Sequence, residues 1–386
     1  MRVKKILIFV NNDFAATQMS AQIIGNQNFD LTVVITDIIR SHEKKIIHIK
    51  NAFKIHGVKK FYLLKKNFFS PRINFKKIFS FFNNIKLNNK NIQKIKKFLK
   101  NNDLDLCTYD EFWFSNDSVS KYIAHYFGRR CIFFFHAFMD INNLKIENFV
   151  KIFKIKIFNY LNSKYLKIVD VNHYAFKGRY ATILKNIVTK SISHTLPEFI
   201  DFNKFNYIRH KIYGTVAAQH KSKKIILINA HIPAGYSFSI TKKYCNFFSN
   251  KIMKYLTTHF DIQKYEIILK SKPYTNKIHL KYILKSFRNI NKAVKIYDSK
   301  HLSKNEMPLD VLGSIFKPDI YITIVSSADW VIAKNHSNVK FIYAWKMFLS
   351  FWENAGVKIR TNSHKNNHEN MKKIYPEIKK FGKVEI

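Results

Sequence analysis

The sequence predicts an α/β protein made of two successive parallel-sheet domains. Three observations carry this. Short apolar runs of strand length alternate with helical stretches, the pattern of strands buried on both faces. The alternation fades between about residues 201 and 222 and then begins again. Enough apolar material is present for two cores, since 47% of the 386 residues are hydrophobic and 16% aromatic, with 36 Phe and 20 Tyr.

Residues 6–10 form the first strand-length apolar run, followed by the polar turn Asn11-Asn12-Asp13. A helix is expected over 15–24, then strands at 31–35 and 61–64. Residues 91–99 read as a basic amphipathic helix leading into a strand at 104–109. A helix at 118–126, a strand at 131–135 and another at 166–169 complete the first half. The second half opens with a strand at 225–228, a helix at 242–257 and a strand at 267–269. It continues with a helix at 280–287, a strand at 293–297, a helix at 310–316 and strands at 320–325 and 339–343. The expected domains are 1–215 and 216–386, the second ending in a polar Lys/Asn/His-rich tail. Two Rossmann-like halves facing a central cleft is the GT-B arrangement, and open α/β sheets bind ligands at the carboxyl ends of their strands.

The charge is extreme: 67 Lys+Arg stand against 25 Asp+Glu, a formal +42. A disordered basic arm is excluded by the apolar content. The 9 Gly and 7 Pro are few, while residues codable with A and T alone (Phe, Ile, Lys, Asn, Tyr) are abundant. Base composition therefore accounts for much of the lysine. What remains attracts anions such as nucleotides or an acidic leaflet. No zinc-finger spacing or RNP-type motif accompanies the charge, so nucleic acid is not expected as the main partner. Apolar runs are too short for a signal peptide or a membrane span. A cytoplasmic protein is expected, with peripheral contact to the inner membrane face.

Cys107, Cys131 and Cys245 are far apart and form no CxxC, which predicts small buried hydrophobes and no disulfide or metal site. Neither GxxxxGK[ST] nor GxGxxG occurs, which disfavours a P-loop ATPase or a dinucleotide enzyme. Asp103-Leu104-Asp105 matches a bare DxD, but at the expected start of a strand, where solvated loop carboxylates suffice. No cofactor is expected.

Three constellations remain. Ser326-Ser327 follows the strand at 320–325; two hydroxyls with free backbone amides at a strand-to-helix turn form a phosphate seat, or else an ordinary Ser N-cap. Lys270-Ser271-Lys272-Pro273 ends the strand at 267–269, where lysines can hold a phosphate as point charges. His136 ends the run at 131–135, with Asp140 four residues on, placed for general acid–base work or packed in an aromatic cluster. Asp170, Asn172 and His173 follow the strand at 166–169, and His231-Ile232-Pro233, with Gly235 beyond, follows the first strand of the second half.

The order of motifs adds to this. Met307-Pro308-Leu309-Asp310-Val311-Leu312, then Lys317-Pro318-Asp319, then Val325-Ser326-Ser327, then Val339-Lys340-Phe341-Ile342 resembles the carboxyl-terminal block of bacterial sialyltransferases and polysialyltransferases. Lys270-Ser271-Lys272-Pro273 occupies the place of their K-x-H-P motif, and Gln18 after the first strand resembles their amino-terminal half. The resemblance implies an inverting, metal-independent GT-B glycosyltransferase. Its donor would be a CMP-activated sugar such as CMP-sialic acid, and its acceptor a lipooligosaccharide, capsule or other cell-surface glycan. It further implies that Ser326 and Ser327 hold the CMP phosphate, with Lys270, Pro273, His231 and Pro308 around the nucleotide. Lys272 would assist the leaving group and His136 or Asp140 would act as base. Two positions depart from the family: Lys272 replaces its His, and His136-Ala137-Phe138-Met139-Asp140 stands where its acidic motif supplies the base. The alternatives are a transferase of teichoic-acid type with a CDP- or UDP-linked donor, and a non-catalytic basic surface-binding protein.

Overall fold

The computed structural model describes residues 2–25, 28–38, 43–65, 93–115, 131–134, 171–174, 191–194, 201–213, 224–230, 238–271, 277–290, 296–298, 307–324, 326, 328–336, 338–354 and 384–385. The chain divides into two compact units, Met1–Ile212 and Tyr213–Ile386.

The first unit is built on a seven-stranded, wholly parallel sheet. Its strands are β1 (Lys4–Val10), β2 (Phe29–Ile38), β3 (Phe61–Lys65), β4 (Glu111–Ser115), β5 (Cys131–Phe134), β6 (Val171–Tyr174) and β7 (Ser191–His194), in the order β3-β2-β1-β4-β5-β6-β7. β1 is central, and Ile6, Leu7, Ile8, Phe9 and Val10 are all buried, as an apolar run covered on both faces requires. Phe9 lies opposite Phe114 in the register and their rings stack at 5.2 Å. Helix α1 (Asp13–Ile23) follows β1, and the Asn12 side chain caps it by accepting from the Ala15 amide at 2.7 Å. Helix α2 (Glu43–Lys54) packs on α1.

Two sequence expectations are corrected here. Residues 104–109 are not a strand: residues 93–101 are helical, and Asp103 closes that helix with a left-handed φ of 53°. Leu104 N donates to Leu99 O at 3.0 Å and Asp103 N to Lys100 O at 3.2 Å, the two bonds of a Schellman stop. Asp105 then caps a 3-10 turn at Leu106–Thr108, and the strand begins at Glu111. The DxD pattern is thus spent on ending a helix and starting a turn. The region where periodicity fades holds helix α3 (Phe202–Tyr213), at whose end the two units divide. Its Arg209 is buried, pairs with Asp13 at 2.9 Å and lies over the rings of Phe14 and Phe205. Second, Cys107 is exposed and not a buried hydrophobe, whereas Cys245 of the second unit is buried as expected and its thiol is pushed up to about 12 by burial. The expected helix at 118–126 and strand at 166–169 lie outside the described residues.

The second unit carries a six-stranded parallel sheet in the order β10-β9-β8-β11-β12-β13. Its strands are β8 (Lys224–Ala230), β9 (Tyr265–Ser271), β10 (Ile296–Asp298), β11 (Ile320–Thr323), β12 (Lys340–Tyr343) and β13 (Val384–Glu385). The helices are α4 (Phe238–His259), α5 (Lys277–Ile290), α6 (Leu309–Phe316), α7 (Asp329–Asn335) and α8 (Trp345–Asn354). Within the core, Tyr244 of α4 meets Phe348, Phe351 and Trp352 of α8 with ring centroids 5.2 to 5.8 Å apart.

Both sheets share one ordering, with the first strand flanked by its second and fourth. They also share a clip at that junction. Asp110 N donates to Lys5 O at 2.9 Å while its carboxylate accepts from Lys5 N at 2.8 Å. Asp319 does the same with Ile225, at 3.0 and 2.8 Å. Each aspartate extends the parallel ladder one step before its strand starts, satisfying an amide that would otherwise face no partner there. The Asp of Lys317-Pro318-Asp319 therefore has a folding role of its own.

Gly313 in α6 touches α7 closely. A Cβ there would lie 2.5 Å from Ile332 Cγ1, and the Gly313 carbonyl accepts from His336 Nε2 at 2.8 Å and from the Lys317 amide at 3.0 Å. Gly313→Ala is expected to destabilise by about 1–3 kcal/mol through overpacking, read as a lower urea midpoint with unchanged slope.

Candidate functional site

In an open parallel sheet the ligand site lies beyond the carboxyl ends of the strands, where the strand order reverses. In the second unit that point falls between β8 and β11. Toward the carboxyl ends of these strands a polar side chain stands on each of four neighbours. Lys270 on β9 is in register with Asn229 on β8, and Thr323 on β11 with Tyr343 on β12. Asn229 Nδ2 donates to Thr323 Oγ1 at 3.2 Å, bridging the switch point. All four residues are buried. Laterally paired residues of a parallel sheet share a face, so this is one polar row across four strands.

Asp329, the first residue of α7, lies fully buried under the row. Its Oδ1 accepts from Tyr321 at 2.7 Å and from Thr323 at 3.3 Å, and its Oδ2 accepts from the Ser326 amide at 3.0 Å. Burial pushes the Asp329 carboxyl up to about 7, against the pull of those three donors. Burial also holds the Tyr321 and Tyr343 phenols well above their ordinary value, so both stay neutral.

The turn from β11 to α7 is a variant capping box. The Ser326 hydroxyl accepts from Ala328 N at 3.2 Å, Asp329 N donates to Ser326 O at 3.1 Å, and the Asp329 carboxylate reaches back to Ser326 N. The amides of Ser326, Ala328 and Asp329 are therefore engaged within the turn and are not the free donors expected from the sequence. What Ser326 retains is its hydroxyl proton, because its Oγ acts as an acceptor in the turn.

Pro308 precedes α6 and its carbonyl accepts from the Leu312 amide at 3.0 Å, the first bond of that helix. His136, Asp140, Lys272, Ser327, Pro273 and His231 lie outside the described residues, as do Asp170 and Gly235. Among the named candidates, Lys270 is on the polar row and Ser326 in the turn beside it. Sequence reasoning missed Asn229, Thr323, Tyr321, Tyr343 and Asp329. One signal was present: Ser326-x-x-Asp329 is a capping-box spacing. Among the described residues no group of three or more His, Cys, Asp or Glu could hold a metal ion.

At the switch point of the first unit, between β1 and β4, the Asn11 amide donates to Ser115 Oγ at 3.0 Å, and Ser115 and Asn12 are buried. Gln18, singled out in the sequence, is buried on α1.

Two parallel-sheet units of one strand order make the chain an α/β protein of two Rossmann-like halves. No protein-family model matches the chain, and no curated protein does. Solved structures do resemble it. A UDP-GlcNAc 2-epimerase from Methanocaldococcus jannaschii aligns with 88% of this chain and 83% of its own, at 13% identity and a TM-score of 0.43. A UDP-glucosyltransferase from Polygonum tinctorium aligns with 98% of this chain and 93% of its own, at 8% identity and a TM-score of 0.44. An alpha/beta-galactoside alpha-2,3-sialyltransferase from Photobacterium phosphoreum aligns with 93% and 97%, at 12% identity and a TM-score of 0.37. At these identities the likeness concerns the course of the chain and says nothing of activity.

Proposed function

We propose that this protein is a glycosyltransferase that takes its sugar from a nucleotide-activated donor, bound at the carboxyl edge of the second sheet. The observation that carries the reading is the buried row Lys270–Asn229–Thr323–Tyr343 at the switch point, a place where a hydrophobic sheet has no folding need of a lysine and an amide. In this reading Lys270, Lys272, Ser326 and Ser327 hold the donor phosphate, with Pro273, His231 and Pro308 beside the nucleotide. The acceptor is a cell-surface glycan, taken by the first unit.

The chemistry balances without a metal. The acceptor hydroxyl oxygen attacks the anomeric carbon and the bond from that carbon to the phosphate oxygen breaks. The nucleotide leaves with the electron pair, and His136 or Asp140 takes the hydroxyl proton. Lys272 and the serine hydroxyls stabilise the charge that grows on the departing phosphate. The motif order favours a CMP-activated sugar. Lysine-rich surfaces favour work beside an acidic leaflet; no described helix is long and apolar enough to cross a membrane.

A donor screen tests the reading. CMP-, CDP- and UDP-activated sugars are incubated with the protein and a labelled glycan panel, and products are read by mass spectrometry. Transfer from a CMP-sugar is the expected result, with a loss of at least about tenfold in Lys270→Ala. Transfer only from a CDP- or UDP-linked donor would replace the CMP assignment, and no transfer from any donor would leave the basic binding protein as the better account.

A further inference from the structure

We propose that Asp329 is the positioning residue of the donor-phosphate turn, holding Ser326, with Thr323 behind it, in the arrangement that receives the nucleotide. The proposal rests on the donor site assigned above and deepens it. Asp329 itself is fully buried and offers no surface to a ligand. Yet its two oxygens reach three different parts of the site: the Ser326 amide, the Thr323 hydroxyl and the Tyr321 hydroxyl. Through Thr323 the contact continues to Asn229 on the neighbouring strand, across the switch point.

A simple helix cap would need only the contact to Ser326 N. The two hydroxyls behind it give the carboxylate a fixed direction, and so fix the turn. Thr323 donates to Asp329 Oδ1 and accepts from Asn229, so its place is set as long as Oδ1 accepts. An ionised Asp329 accepts from all three donors. A protonated one gives up at least one of them: Tyr321 and Thr323 both donate to Oδ1, so a proton on Oδ2 costs the bond from the Ser326 amide. The titratable groups facing the carboxylate among the described residues are Tyr321 on β11 and Tyr343 on β12, both neutral. Turn geometry is therefore tied to a single proton on Asp329, which titrates at about 7.

The effects on stability and on binding run in opposite directions. A carboxyl whose value in the fold lies above its unfolded value of about 4 contributes stability that is present below that value and lost as the pH rises through about 7. Asp329→Asn keeps the shape and removes the buried charge, so above that range it should fold at least as stably as the wild type. A merely structural residue would lose stability and binding together.

The test is calorimetric titration of the wild type and Asp329→Asn with the methyl phosphodiesters of CMP and UMP. Their single phosphate charge does not titrate between about pH 5.5 and about pH 8.5. Melting temperatures are recorded at both pH values. We expect wild-type affinity to fall about tenfold at the lower pH. Asp329→Asn should bind about tenfold more weakly at the higher pH, vary little with pH, and melt no lower than the wild type there. Equal affinity of the two proteins at both pH values overturns the positioning role while leaving the donor site standing. Binding of neither diester by the wild type overturns the donor site, and the positioning role with it.

Discussion

Tyr244→Ala is expected to lower the stability of the second unit by about 3–5 kcal/mol, a large share of what a domain of this size possesses. The ring is wholly buried on α4 and touches Phe248 of its own helix and Phe348, Phe351 and Trp352 of α8. Four aromatic neighbours cannot collapse into the space of one ring without leaving their rotamers, so the cavity term is close to its maximum. The hydroxyl offers a built-in control. It is buried with no hydrogen-bond partner among the described residues. Tyr244→Phe removes that cost and keeps the ring, so it should be neutral or stabilising. Urea unfolding of the three proteins checks both claims; a Tyr244→Phe loss as large as that of Tyr244→Ala would show that the hydroxyl, not the ring, holds α4 to α8.

Phe114→Ala should cost the first unit a similar amount, about 3–5 kcal/mol. Phe114 is buried on β4, stacked on Phe9 at 5.2 Å and next to Phe112 on its own strand at 6.4 Å. Because Phe9 and Phe114 face each other across β1 and β4, the loss falls on the pair of strands that forms the switch point. Phe114→Leu retains much of the volume and should cost well under half as much. Thermal melts followed by near-ultraviolet circular dichroism would report the loss of the stacked ring directly.

Strands were the most legible part of the chain, because a parallel strand buried on both faces leaves an unbroken apolar run, as at residues 6–10 of β1 and 225–228 of β8. The helices were harder. Helix α3 places Phe205, Ile208, Arg209 and Ile212 inward, and the arginine in that stripe hides its period. Arg209 is buried because Asp13 and two phenyl rings receive it, a set of partners from a distant part of the sequence. The roles of the aspartates were hidden for the same reason. Asp103 and Asp105 look like a metal motif and serve as a helix stop and a turn cap, while Asp319, read within a family motif, clips β11 to β8.

The candidate site was legible only where its chemistry is loud. Lys270 and Ser326 could be named from their places at strand ends. Asn229 and Thr323 could not, since an amide and a hydroxyl at strand ends are unexceptional until the register sets them 3.2 Å apart. Asp329 was closest to being read, through its spacing from Ser326, but its depth of burial and its contact with Tyr321 come only with the fold. The +42 charge, the loudest feature of the sequence, points to no residue by itself. One lysine acquires meaning because the sheet carries Lys270 into a buried polar row.

The central claim is that this row is a nucleotide site, and calorimetric titration of CMP, CDP and UDP into the wild type and Thr323→Val tests it most directly. Thr323→Val keeps the shape of the side chain and cuts the link between Asn229 and Asp329. The account predicts saturable binding of at least one nucleotide, CMP first, and a loss of at least about tenfold in the variant. Binding of none of the three, or equal binding by both proteins, would contradict it.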